Sequence, residues 1–142
     1  MTTSFVDAEG LVADWVNRQT SLVGEGRPLP KGAHLTSRLT GALSACYARL
    51  MQVGGGRALG AENPDQVARI SAEIYGPTKE AAAEAAAAYA DALVTKLVGK
   101  PWSNRAGTIL FIDDDSLAGP VWAPDIDEPR YLVDCDFYVR PA

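Results

Sequence analysis

The chain closes on a strict alternation. In Asp134-Cys135-Asp136-Phe137-Tyr138-Val139-Arg140, Cys135, Phe137 and Val139 fall on one face and Asp134, Asp136, Tyr138 and Arg140 on the other. That period of two predicts a β-strand over residues 130–140, half buried. Such a strand needs a sheet built earlier in the chain. Just before it, Gly119-Pro120-Val121-Trp122 and Pro124-Asp125 read as a turn with anchored aromatics. The stretch carries no catalytic constellation, which leans away from an enzyme.

The sequence has 142 residues, 47% of them hydrophobic, which suits one globular domain over residues 1–142. The net charge of −5 argues against tight nonspecific binding of nucleic acid, which needs clustered Lys and Arg. Cys46 and Cys135 are too few for a disulfide framework and match no zinc spacing, so buried free thiols are expected. Neither a signal-peptide pattern nor a membrane-length apolar run is present, and a cytoplasm-like, reducing setting is expected.

Ser4, three residues before Asp7, gives a capping-box-like start to a first helix. Its stripe runs through Ala8, Leu11, Val12, Trp15, Val16, Leu22 and Val23, ending by residues 24–26. Residues 27–32 read as a rigid loop, 34–39 as a first strand, 40–43 as a break and 45–53 as a second strand. In that second strand Cys46, Ala48 and Leu50 oppose Tyr47, Arg49, Met51 and Val53. Residues 54–66, with Gly54-Gly55-Gly56 and Asn63-Pro64-Asp65, read as an unusually long loop. Ala68, Ile70, Ala72 and Ile74 then alternate with Arg69, Ser71, Glu73 and Tyr75 in a third strand.

Gly76-Pro77-Thr78 stops that strand and caps a second helix reaching about residue 98, rich in alanine early and anchored by Tyr89, Leu93 and Leu97. Gly99-Lys100-Pro101 ends it. Residues 108–112 form a short apolar strand, and Asp113-Asp114-Asp115-Ser116 the turn after it. The predicted fold class is α+β: a mostly antiparallel or mixed sheet of about five strands with two helices packed on one face. No internal repeat is visible.

Little in the sequence carries chemistry. Asp113, Asp114 and Asp115 lack the ligand spacing and glycine of a calcium loop, so a solvated acidic turn is favoured. His34 is the single histidine and has no nucleophile signature beside it. Gly54-Gly55-Gly56 lacks the Lys-Ser/Thr of a phosphate loop. Trp102 and Trp122 lie outside the periodic elements, each either a cap on the core edge or an interface anchor. No catalytic residue, cofactor or metal is expected.

Three places carry a family resemblance. They are Ala68-Arg69-Ile70-Ser71-Ala72-Glu73-Ile74-Tyr75-Gly76 with the alanine-rich helix, Gly119-Pro120-Val121-Trp122-Ala123-Pro124-Asp125 leading to Pro129-Arg130-Tyr131, and the closing Tyr138-Val139-Arg140-Pro141-Ala142. With the opening helix they cover nearly the whole chain, which resembles the tail terminators of long-tailed phages of actinobacteria. The resemblance implies a small α+β virion subunit, assembled in the host cytoplasm into a hexameric ring that caps the tail tube. The far side of the ring receives the head connector. DNA would pass the lumen without specific binding, which an acidic balance suits. No enzymatic activity, cofactor or membrane contact is implied. Expected interaction residues are Trp102, Trp122, Asp125 and Arg130, with Asp113, Asp114 and Asp115. Alternatives are another neck or head-completion protein of the virion, or a soluble binding module or small-molecule-binding enzyme subunit.

Overall fold

A computed structural model describes residues 6–24, 29, 31–35, 46–57 and 65–142. Among the described residues two helices, α1 (Ala8–Asn17) and α2 (Lys79–Leu97), accompany six strands: β1 (Gly32–Leu35), β2 (Cys46–Arg57), β3 (Gln66–Tyr75), β4 (Trp102–Ser103), β5 (Gly107–Trp122) and β6 (Arg130–Pro141). The sheet order is β1-β2-β3-β6-β5-β4, and every neighbouring pair is antiparallel. The fold is α+β, with six strands where five are expected. The sixth is β4, whose two residues are too short to leave a periodic pattern.

The described residues therefore trace one helix and three strands twice. Each half forms its own three-strand meander, and β3 and β6 join the halves at the centre of the sheet. The sequence shows no repeat because the equivalence is one of topology; α1 has 10 residues and α2 has 19.

Alternation decides the two faces. Ala68, Ile70, Ala72 and Ile74 of β3 and Val133, Cys135, Phe137 and Val139 of β6 are all buried, as expected for half-covered strands. Cys46, Ala48 and Leu50 of β2 join them in one core cluster with Leu11, Trp15 and Val16 of α1 and Tyr89, Leu93 and Leu97 of α2. The small-residue half of α2 sits tight on that core: Ala81, Ala82, Ala85 and Ala86 are buried, and a Cβ at Gly76 would press on Ala82. Both cysteines are free and buried, and burial pushes each thiol up to about 11.

Local signals explain the element ends. The cap of α1 is Asp7, whose carboxylate accepts from the Gly10 N–H at 3.1 Å; Ser4 lies outside the described residues. The helix stops at Asn17, earlier than expected. Leu22 is buried and Val23 bridges to Leu35 from the segment that follows, so their apolar spacing reflects core contact, not helix. Thr78 caps α2 as expected, accepting from Ala81 N–H at 3.1 Å, and Gly99 ends it at φ +66°. Thr78→Ala should lower stability by about 1 kcal/mol, read from the urea midpoint at unchanged m-value.

Four loop and turn expectations are corrected. Gly54-Gly55-Gly56 belongs to β2, paired with Arg69, Ala68 and Val67 beyond a bulge at Gln52/Gly54, so the first part of the expected loop, through Arg57, is strand. Glycine lacks strand propensity and reads as loop until a partner strand holds it. Asp113-Asp114-Asp115 is no turn after a short strand, because the 16-residue β5 runs through it. Gly119-Pro120-Val121-Trp122 is the last part of the same strand, with Val121 opposite Leu132 and Trp122 opposite Tyr131. The expected loop at 27–32 gives way to β1 at Gly32, while 27, 28 and 30 lie outside the described residues, as do 36–39 of the first strand, the break at 40–43, and 58–64.

One edge contact makes stability sensitive to acid. Just before β1 begins, the Glu9 carboxylate accepts the Gln52 backbone N–H at 2.7 Å and the Lys31 ammonium at 2.7 Å. These bonds, Lys31 first, hold the Glu9 carboxyl below its ordinary value of 4.5. A depressed folded value means stabilisation present above that ordinary value and lost as pH falls through the folded one. Wild type should thus exceed Glu9→Gln in urea midpoint at neutral pH, the gap closing as acid protonates Glu9.

Candidate interaction surface

The sheet face opposite the helices bears Tyr47, Arg49, Met51 and Val53 of β2, Val67, Arg69, Ser71, Glu73 and Tyr75 of β3, and Arg130, Leu132, Asp134, Asp136 and Tyr138 of β6. Met51, Val53 and, on β5, Phe111 and Val121 are exposed large apolar side chains there. Among the described residues no helix covers this face.

Two ordered ends bracket it. At one, Tyr47 stacks on Tyr75 with ring centroids 4.7 Å apart, and at the other Phe111 stacks on Tyr138 at 4.4 Å. Each pair joins the central strand of one half to its neighbour, so the duplicated topology places like contacts at opposite ends. Acid–arginine pairs follow the same logic. Arg130 of β6 meets Glu73 of β3 at 2.9 Å, and Arg69 of β3 meets Asp136 of β6 at 3.2 Å.

The Tyr47–Tyr75 end gathers three of the expected residues, Trp122, Asp125 and Arg130. Arg130 donates through Nε to the Ala123 carbonyl at 2.8 Å and through a guanidinium N–H to Glu73 at 2.9 Å, and lies over the Tyr75 ring. Tyr75 donates to one Asp125 oxygen at 3.4 Å, and the other accepts the Ile126 N–H at 2.8 Å. Asp125 N–H donates to the Glu128 carbonyl at 3.1 Å, and Gly76 N–H to that of Pro129 at 3.2 Å. Tyr47 donates to the Glu128 carboxylate at 2.8 Å; burial first, then this bond, pushes its hydroxyl up to about 12. The loop between β5 and β6 is thus fastened from β2, β3 and β6. Two of its three acids bond back to tyrosines of the sheet, all three staying exposed, and Ile126 stands 94% exposed.

Trp122 tilts against Tyr131 at 5.2 Å, with the Lys79 ammonium 4.8 Å from its ring centroid. Trp102 lies apart, on edge strand β4, partly buried against the core. That placement makes it a core-edge cap.

Asp113, Asp114 and Asp115 are also apart from the loop, in a bulge midway along β5. Asp113 pairs with Asp136 and Ala118 with Asp134, so five steps of β5 face two of β6. Ser116 repairs the ladder, accepting the Asp136 N–H at 2.8 Å through its hydroxyl. Gly119 lets the strand rejoin: its φ is +105°, and a Cβ there would run into the Leu132 carbonyl. None of the three aspartates forms an ion pair with a described residue, and among the described residues no group of three or more His, Cys, Asp or Glu is placed to hold a metal. His34 sits in β1, with Nδ1 buried and unpartnered among the described residues. No helix among the described residues is long and apolar enough to cross a membrane.

Glu73, Tyr75, Tyr47 and Glu128 complete the cluster and are missing from the sequence-based set. The alternation of β3 does place Glu73 and Tyr75 on its polar face. Their meeting with Arg130 depends on a register that no local pattern encodes. Comparison with protein-family models, curated proteins and solved structures found no match to this chain.

Proposed function

We propose that this protein is a structural subunit of a phage virion, a tail terminator that closes the tail tube as a hexameric ring and offers its far side to the head connector. The supporting observation is the stiff, acidic β5–β6 loop with an outward Ile126, beside a sheet face bearing exposed Met51, Val53, Phe111 and Val121. Exposed apolar side chains on an uncovered sheet face, with a pre-ordered loop at one end of it, are what a subunit committed to protein partners presents. It agrees with the sequence resemblance, in which the segment from Gly119 to Tyr131 is one of the three shared places. On this reading the protein acts by shape and contact, with no catalysis and no cofactor, and the lumen of the ring passes DNA without gripping it.

Purified protein added to headless tail tubes tests the proposal. Electron microscopy should show it at one end of each tube, as a ring of six copies. Binding only to portal-bearing heads would instead assign it to the head-completion proteins of the neck.

A further inference from the structure

The two ends of the long β5–β6 hairpin differ in character. At the loop end, residues 123–129 hold three acids, Asp125, Asp127 and Glu128, and no base. Ile126 is 94% exposed and Val121 54% exposed. At the other end, residues 92–112 contain three basic residues, Lys96, Lys100 and Arg105, and no acid. There Val94, in the last turn of α2, and Val98, the extended residue that caps it, are 42% and 38% exposed. Lys96, Lys100 and Arg105 form no ion pair with a described residue, although Asp91 borders the valine pair and Asp14 accepts from the Asn104 amide, next to Arg105, at 2.8 Å. On the loop end the nearby cations are engaged, Arg130 by Glu73 and Lys79 over Trp122.

The ends cannot meet within one chain. Tyr131, opposite Trp122, and Val139, opposite Ile109 beside β4, are separated along β6 by about 26 Å at a strand rise of about 3.3 Å per residue. We infer that they meet between chains: the Ile126 loop of one copy docks on the C-terminal end of α2, at Val94 and its cap Val98, and on the Lys96–Arg105 segment of the next. An apolar knob flanked by three acids fits an apolar patch flanked by three unpaired bases, and stiffness of the loop reduces the ordering cost of docking. The contact joins unlike surfaces, so it repeats head to tail and closes wherever the rotation allows. It rests on the ring reading and names the surfaces that would build the ring.

Two surface variants test it. Ile126→Asp with Asp127→Lys spoils the loop end, and Val98→Asp with Lys96→Glu and Arg105→Glu spoils the α2 end. Every altered side chain is exposed, and circular dichroism with urea midpoints confirms folding. By light scattering each variant alone should lose assembly. An equimolar mixture should recover dimers and nothing larger, since only one intact pair of ends remains. Assembly of either variant as in wild type would overturn the contact and leave the ring reading standing, and so would a mixture that stays monomeric. An unaltered chain that never oligomerises, in solution or on tubes, would remove the ring reading and this contact together.

Discussion

Phe137→Ala should cost about 3–5 kcal/mol, a large part of the roughly 5–15 kcal/mol that holds a domain together. Phe137 is fully buried at the centre of the sheet, opposite Ala68 on β3 and Ile112 on β5. The surrounding strands are fixed by pairing on both sides, so they cannot collapse into the space left behind. Tyr138→Ala, one residue later, removes a ring of similar size from the opposite face, where it only stacks on half-exposed Phe111. Its expected cost is about 1 kcal/mol. Denaturant unfolding of both variants checks the assignment of faces. Equal losses would contradict it.

Arg130→Met should be the most damaging change at the candidate surface, costing about 2–3 kcal/mol. The guanidinium serves Glu73 and the Ala123 carbonyl together, with Asp125 4.0 Å away. Without it, Glu73 keeps only Arg49, at 4.0 Å, while its side chain is 16% exposed. Lysine at 130 should rescue little, because one ammonium cannot span both partners in the planar geometry of arginine. Amide exchange at Ala123, Asp125 and Ile126 should quicken in Arg130→Met well beyond the change in global stability. Glu73→Gln combined with Arg130→Met should lose less than the two single losses added. Strict additivity would mean that the pair does not hold the loop.

Much of this architecture is legible in the residues. The alternation of 68–75 and 134–140 gives two strands and their buried faces, and Thr78 and Gly99 mark the limits of α2. The remainder is hidden for identifiable reasons. Aspartate, glycine and proline are disfavoured in strands, so residues 113–122 read as turns although β6 and Ser116 hold them in the sheet. Leu22 and Val23 extend the helical spacing of α1 by chance of core contact after the helix has ended. Trp122, Asp125 and Arg130 could be grouped because they lie close in sequence. Tyr47, Glu73 and Tyr75 could not, since they reach the loop only through the pairing of β2 with β3 and β3 with β6.

The same pairing gives the closing strand its place. It lies at the centre of the sheet, shared between the two αβββ halves, so the loop that precedes it rises from the most firmly held part of the domain. That location suits the role proposed for the loop, which is to be met by another protein in one fixed orientation.

The most direct measurement of the proposed role is negative-stain microscopy of virions assembled without this protein. A tail terminator predicts overlong tails that carry no heads. Tails of normal length would contradict it.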